Sequence, residues 1–164
     1  MPSLIPSRIF VDVISSLAVL LGLVFVGLEL RHANKLAQAE AVNSLNGMIV
    51  ELNISKYGAP ASKDLWANYY SGRIGTGADL SPGDREILVA NLFSWMTLYE
   101  AAWKYHETGI LQEEEFVGYI ESACDELTLS ELSREVWGQN KTLFTPGYVK
   151  EIENTCKAVS YTHL

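Results

Sequence analysis

Basic residues are scarce in this chain. Twelve Lys and Arg stand against twenty Asp and Glu, a formal net charge of −8. Residues 1–40 hold Arg8, Arg31 and Lys35 against Asp12, Glu29 and Glu40, so the whole surplus of negative charge lies beyond residue 40. An acidic body without Lys/Arg clusters argues against nucleic acid as a partner, because phosphate contacts and counterion release drive that binding. The same scarcity leaves no polybasic segment to hold the body on anionic lipid. Cysteine is nearly absent: Cys124 and Cys156 are too few for a disulfide scaffold and have neither CxxC spacing nor His companions for zinc. Their simplest reading is two small buried side chains. A single disulfide is the alternative, and it would need an oxidising compartment. Also missing is any alternating apolar run flanked by hairpin turns, which excludes a β-rich fold.

What the chain does have is one long apolar run. Ile9 to Leu30 spans twenty-two residues, interrupted only by Asp12 and Glu29, and Val13 to Leu28 carries no ionisable side chain. A hydrocarbon core of about 30 Å needs about 20 helical residues, so the run suits a transmembrane helix with its two acids at the interfaces. A cleaved signal peptide and a buried core helix are the alternatives. No clear A-x-A cleavage site follows the run, and a core helix in so small a domain usually keeps one solvated face. Arg31 and Lys35 follow the run while Arg8 and the terminal amine precede it, so positive-inside counting is close to a tie; side chains alone favour a cytoplasmic body by one charge.

Within the run, Asp12, Ser15, Ser16, Ala18 and Gly22 fall at helical spacing on adjoining faces. Small and hydroxylated residues let helix backbones approach and bond, so this stripe is a candidate contact with a second copy or another membrane subunit.

Past Glu29 the helical pattern continues. No Pro or Gly occurs between Leu28 and Asn46, and Ala41, Leu45, Met48 and Leu52 form an apolar face at helical spacing. Gly58 and Pro60 should end this helix. A short helix follows, with Ser62 as its expected cap, and then a Gly-rich connector that lacks the Gly-Lys-Ser/Thr of a phosphate loop. "LSPGDRE" places Ser81 as cap and Pro82 at the first helical position. Leu88, Leu92, Trp95, Tyr99 and Ala102 face inward, and Gly109 stops the helix. Phe116, Ile120, Ala123 and Leu127 mark the next helix, after an acidic start that suits the helix dipole. Thr128 and Glu131 are expected to box the start of a helix carrying Leu132, Val136 and Leu143. Thr145 and Pro146 open the last, with Val149, Ile152, Cys156 and Val159 inward.

Chemistry-bearing patterns are thin. Glu29-Leu-Arg-His32 has Glu-x-x-His spacing, but di-iron bundles need two such motifs and two further Glu, and there is one motif here. It reads as a polar collar. His106, near a helix end before Gly109, is explained by the helix dipole, and no Ser or Cys has a His and an acid arranged for nucleophilic work. Neither an enzyme nor a cofactor is expected. An enzyme would need a cleft around His106 or Glu113–Glu115. The aromatics Trp66, Tyr69, Tyr70, Trp95, Tyr99, Trp103, Tyr105 and Trp137 are numerous and mostly suit a core. Trp95, Tyr99 and Trp103 are the candidates for a pocket or partner surface.

The early acid Asp12, the collar "VGLELRHANK", the "LSPGDRE" helix start, "WMTLYEAAWKYHETGIL" and "VWGQNKTLFTPGYVKEIE" together resemble a widespread family of bacterial membrane proteins with no assigned activity. Arg31 and Asn34 match that family's collar, Trp137 matches an aromatic position before the last helix, and Glu29 stands where the family often has an amide. The resemblance implies a bacterial inner-membrane anchor with a cytoplasmic helical domain. The reading of the chain is therefore all-α: a tail at 1–8, a transmembrane helix at 9–30, a juxtamembrane extension at 31–58 and a helical bundle at 59–164. As a function it suggests a membrane-anchored assembly protein, with the lipid bilayer and a homo-oligomer or another membrane subunit as partners. A tethered small-ligand or sensory module is the alternative.

Overall fold

A computed structural model of the chain describes residues 7–58, 60–74 and 77–160. Six α-helices follow in order: α1 Ser7–Tyr57, α2 Pro60–Tyr70, α3 Pro82–Glu107, α4 Glu113–Leu129, α5 Glu131–Asn140 and α6 Pro146–Ser160. Two 3-10 turns, Gly77–Asp79 and Lys141–Leu143, join them, and no strand occurs among the described residues. The fold is all-α, with one long apolar N-terminal helix continuing into a helical bundle.

Helix α1 keeps its hydrogen-bond ladder through the change from apolar to charged sequence, as the lack of breakers requires. The chain divides into two compact units, Met1–Glu40 and Ala41–Leu164. In the first unit every described side chain from Phe10 to Leu36 is exposed. Helix α1 is long and apolar enough there to cross a membrane, and none of that window is buried by the rest of the chain. In the second unit Ala41 and Leu45 are buried, with Met48 and Leu52 packed on the core beside them. The apolar face anticipated for this stretch thus belongs to the bundle itself.

Helix α4 is the middle of that bundle, packing on α3, α5 and α6. Its Phe116, Ile120, Ala123 and Leu127 are all buried, facing Leu88, Leu92 and Ala102 of α3, Leu132 and Val136 of α5, and Ile152 of α6 in one continuous core. Each large apolar side chain so buried contributes about 1.5–3 kcal/mol relative to exposure. The helix starts are local. Ser81 accepts from the Asp84 amide, with Pro82 opening α3. Glu115 accepts from the Gln112 amide at α4, and Ser130 accepts from the Ser133 amide at α5. Gly109 turns the chain after α3 with φ 71°, where a side chain would be strained.

Four expectations need correction. Ser62 does not cap α2, which already begins at Pro60; proline at a first helical position presets the backbone and moves the start upstream. Thr128 does not cap α5, because α4 runs on to Leu129 and the Thr128 hydroxyl donates back to the Asp125 carbonyl; Ser130 is the cap. Leu143 is not in the core but 69% exposed, since α5 gives way to a 3-10 turn at Lys141 and the register of the inward face is lost. Cys124 and Cys156 are not two separate buried thiols: they are joined in a disulfide between α4 and α6. The side chain expected inward at Val159 lies outside the described residues, as do residues 1–6 of the tail expected at 1–8, whose last two residues open α1.

Candidate functional site

The densest polar arrangement in the bundle surrounds Lys56, in the last turn of α1. Its side chain is only 4% exposed. The ammonium lies 4.4 Å from the ring centre of Trp66, 4.5 Å from Tyr70 and 5.1 Å from Trp95. It also donates to the Tyr70 hydroxyl. Three aromatic faces around one cation form a box of the kind that recognises ammonium groups, here filled by the protein's own lysine. Helix spacing builds it: Trp66 and Tyr70 are one turn apart on α2, and Trp95 and Tyr99 one turn apart on α3, with ring centres at 5.8 and 5.9 Å respectively.

Beyond the box lies Glu126 of α4, which accepts from Tyr69 at 3.1 Å and from Tyr70 at 3.4 Å. The Tyr69 hydroxyl also meets Ser130 and Ser133 of α5. Burial holds the Glu126 carboxyl above the usual carboxylate range, opposed by Lys56 and by the two tyrosine hydrogen bonds. Burial likewise holds the Lys56 ammonium below its usual value, opposed by Glu126. The two groups compensate each other incompletely, as expected when a pair loses water. Tyr69 is pushed up to about 12, first by burial and then by the Glu126 charge. Chemically the arrangement is a closed cation–carboxylate–hydroxyl network that ties α1, α2, α3, α4 and α5 together.

The three aromatics singled out in the sequence do not act as one group. Trp95 and Tyr99 belong to the Lys56 side, whereas Trp103 packs against Tyr148 at the start of α6, 6.3 Å between ring centres. There it also covers Gly147, where an added Cβ would come within 2.7 Å of the indole. Buried side-chain atoms without a hydrogen-bond partner, among the described residues, are Asn91 Oδ1 and Trp95 Nε1, one turn apart on α3. Sequence reading missed Lys56 and Glu126. A lysine on the inward face of α1, in register with Leu45 and Leu52, was the available signal.

His106 is half-buried and well partnered. Its ring stacks on Phe116 with centres 4.1 Å apart, Nδ1 is 3.3 Å from the Leu111 carbonyl and Nε2 is 3.2 Å from Glu113. These contacts fold the corner between α3 and α4. Glu113 and Glu115 are engaged there as well, Glu115 as the cap of α4, so the acidic run serves the helix start.

The stripe of α1 is exposed along its length at Asp12, Ser15, Ser16, Ala18 and Gly22. Ser16 donates back to the Asp12 carbonyl at 2.9 Å, and a Cβ at Gly22 would meet nothing within 4 Å. No family model, curated protein or solved structure matches the chain.

Proposed function

We propose that this protein is a single-span anchor in a bacterial inner membrane that carries a helical assembly module on the cytoplasmic side. One observation carries the reading: among the described residues, the apolar side chains of α1 from Phe10 to Leu30 are exposed. A surface of that extent and apolarity is stable only in lipid or against another chain. Counting side chains alone, Arg31 and Lys35 beyond it against Arg8 before it favour a cytoplasmic bundle by one charge.

Assembly follows from the stripe. Ser15, Ala18 and Gly22 would let a second helix approach closely within the bilayer, and Asp12 would find a partner there. The partner is a second copy of the chain or another membrane subunit. Blue-native electrophoresis in mild detergent tests this: a species larger than the monomer is expected, and a strictly monomeric band with nothing co-purifying overturns it. Because a Cβ at Gly22 meets nothing in the chain, Gly22→Leu should break the complex and leave the bundle folded.

A second reading, a tethered small-ligand module, is favoured by one observation: the unpartnered Trp95 indole N–H and Asn91 carbonyl oxygen. A ligand with adjacent acceptor and donor would satisfy both. Unchanged Trp fluorescence across a panel of small amides and alcohols would exclude it.

A further inference from the structure

Cys124 and Cys156 join α4 to α6 with Cα atoms 5.0 Å apart, well inside the range a disulfide spans without backbone movement. A permanent disulfide is foreign to the cytoplasm, where thiol pools keep cysteines reduced and disulfides are mostly transient and sensory. We propose that the pair is a reversible thiol–disulfide clamp, exchanging electrons with a dithiol through Cys156, which locks or frees the last turns of α6. The proposal rests on the cytoplasmic placement of the bundle put forward above.

The two sulfurs differ in access. Cys124 is 0% exposed, held in the core of α4. Cys156 is half-buried and lines a surface cleft of about 450 Å³, with Leu127, Trp137 and Ile152 as apolar neighbours and Arg134 and Lys157 as cations. An attacking thiolate therefore reaches Cys156. Glu153, an acid in the same cleft, is paired with Lys141 at 2.6 Å.

The exchange balances. A dithiol thiolate bonds to Sγ of Cys156, the Cys124–Cys156 bond breaks, and Cys124 leaves as a thiolate that takes up a proton. The second thiol of the dithiol then attacks the mixed disulfide and releases Cys156. Two electrons pass to the protein, and the dithiol becomes a disulfide. The reverse sequence, driven by a small disulfide, closes the clamp.

What the clamp holds follows from the other ties of α6. The Tyr148 hydroxyl donates to the Met96 carbonyl, the Thr145 amide donates to Glu100 just ahead of α6, and Glu153 pairs with Lys141. Among the described residues, every hydrogen bond or ion pair from α6 to another helix or turn lies at or before Glu153. Cys156 is the tie beyond it. Opening the bond removes that tie and loosens the wall of the cleft over Leu127 and Trp137.

The test uses the full chain in its native membrane. Cells are acid-quenched and thiols are tagged with a polyethylene-glycol maleimide. Two tags per chain are expected at rest, none after diamide, and two again after dithiothreitol. A bond present at rest that dithiothreitol does not open, or two free thiols throughout, overturns the clamp. Hydrogen exchange on purified protein in detergent should show amides after residue 153 exchanging at least tenfold faster when reduced; equal rates also overturn it. Placement is read separately. A membrane-impermeant maleimide applied to reduced protein should label inside-out vesicles and spare right-side-out ones. The opposite pattern removes the cytoplasmic placement, while the tag count at rest and after diamide still decides the clamp.

Discussion

The Lys56 ammonium sits 4.4 Å from the ring centre of Trp66, so the end of α1 is fastened to α2 through a desolvated cation. The energetics of that contact depend on Glu126. Burial disfavours both charges, each relieves part of the other's penalty, and the aromatic faces attract the ammonium as well.

Lys56→Met keeps the length of the side chain and removes its charge. It should destabilise the bundle by about 2–3 kcal/mol, because the cation–π contacts vanish and Glu126 is left without its cation. The double variant Lys56→Met, Glu126→Gln should recover most of the loss, since replacing both members of a buried pair is close to neutral. Urea unfolding followed by circular dichroism in detergent provides the cycle. Additive losses would show that the two residues do not interact.

The tyrosines set the alkaline limit. Tyr69 is raised to about 12, and Tyr70, Tyr99 and Tyr148 are raised as well, in each case chiefly by burial. A folded-state value above the unfolded one gives stability that is present below the unfolded value and lost as pH rises through the folded one. Between the two, the folded state holds more protons, so stability falls with pH. The buried Tyr69, Tyr99 and Tyr148 each contribute a slope of about 1.4 kcal/mol per pH unit above about pH 10, and the more exposed Tyr70 contributes less because solvent screens it. Absorbance at 295 nm should show these four of the eight tyrosines ionising together with loss of helix. Eight tyrosines titrating near pH 10 with the helix signal intact would contradict this.

Glu100 of α3 accepts from both the amide and the hydroxyl of Thr145, at 2.7 and 2.6 Å, and so fixes the start of α6. Burial alone would raise its carboxyl, but the Thr145 bonds and Lys104 outweigh that and hold it below the usual range. Its stabilisation is therefore full above the usual carboxylate range and is lost as pH falls through the lowered value. Glu100→Gln should cost about 1–2 kcal/mol at neutral pH and much less in acid. A cost independent of pH would assign the residue a packing role only.

Gly147→Ala should also destabilise, by about 1–3 kcal/mol, because the new methyl would meet the Trp103 ring at 2.7 Å. Trp103→Leu should relieve the clash. Thermal melts of the two single variants and the double variant separate this from a simple loss of backbone freedom.

Much of this fold was legible because its signals are local. Ser81, Pro82 and Gly109 announce their helix ends by cap and turn chemistry, and helical periodicity finds the buried Leu88, Leu92, Tyr99 and Ala102 of α3 and Phe116, Ile120, Ala123 and Leu127 of α4, with Trp95 only half-buried. Boundaries failed where two signals competed: Thr128 and Ser130 both fit a cap, and the tertiary run of α4 chose the second. Leu143 failed because a 3-10 turn changes the residue period from 3.6 to about 3 and rotates the face. The Lys56–Glu126 pair and the Cys124–Cys156 bond are separated by 70 and 32 positions, and such pairings depend on how helices dock rather than on any local pattern. Trp95 and Trp103 look alike in sequence, eight residues apart on one helix, yet neighbours from α1 and α6 assign them to different environments.

Extraction of native membranes with alkaline carbonate tests the central claim most directly. The full-length polypeptide, its amino-terminal region intact by mass spectrometry, should stay in the membrane pellet and be released only by detergent. Recovery of that intact polypeptide in the carbonate supernatant would contradict the account.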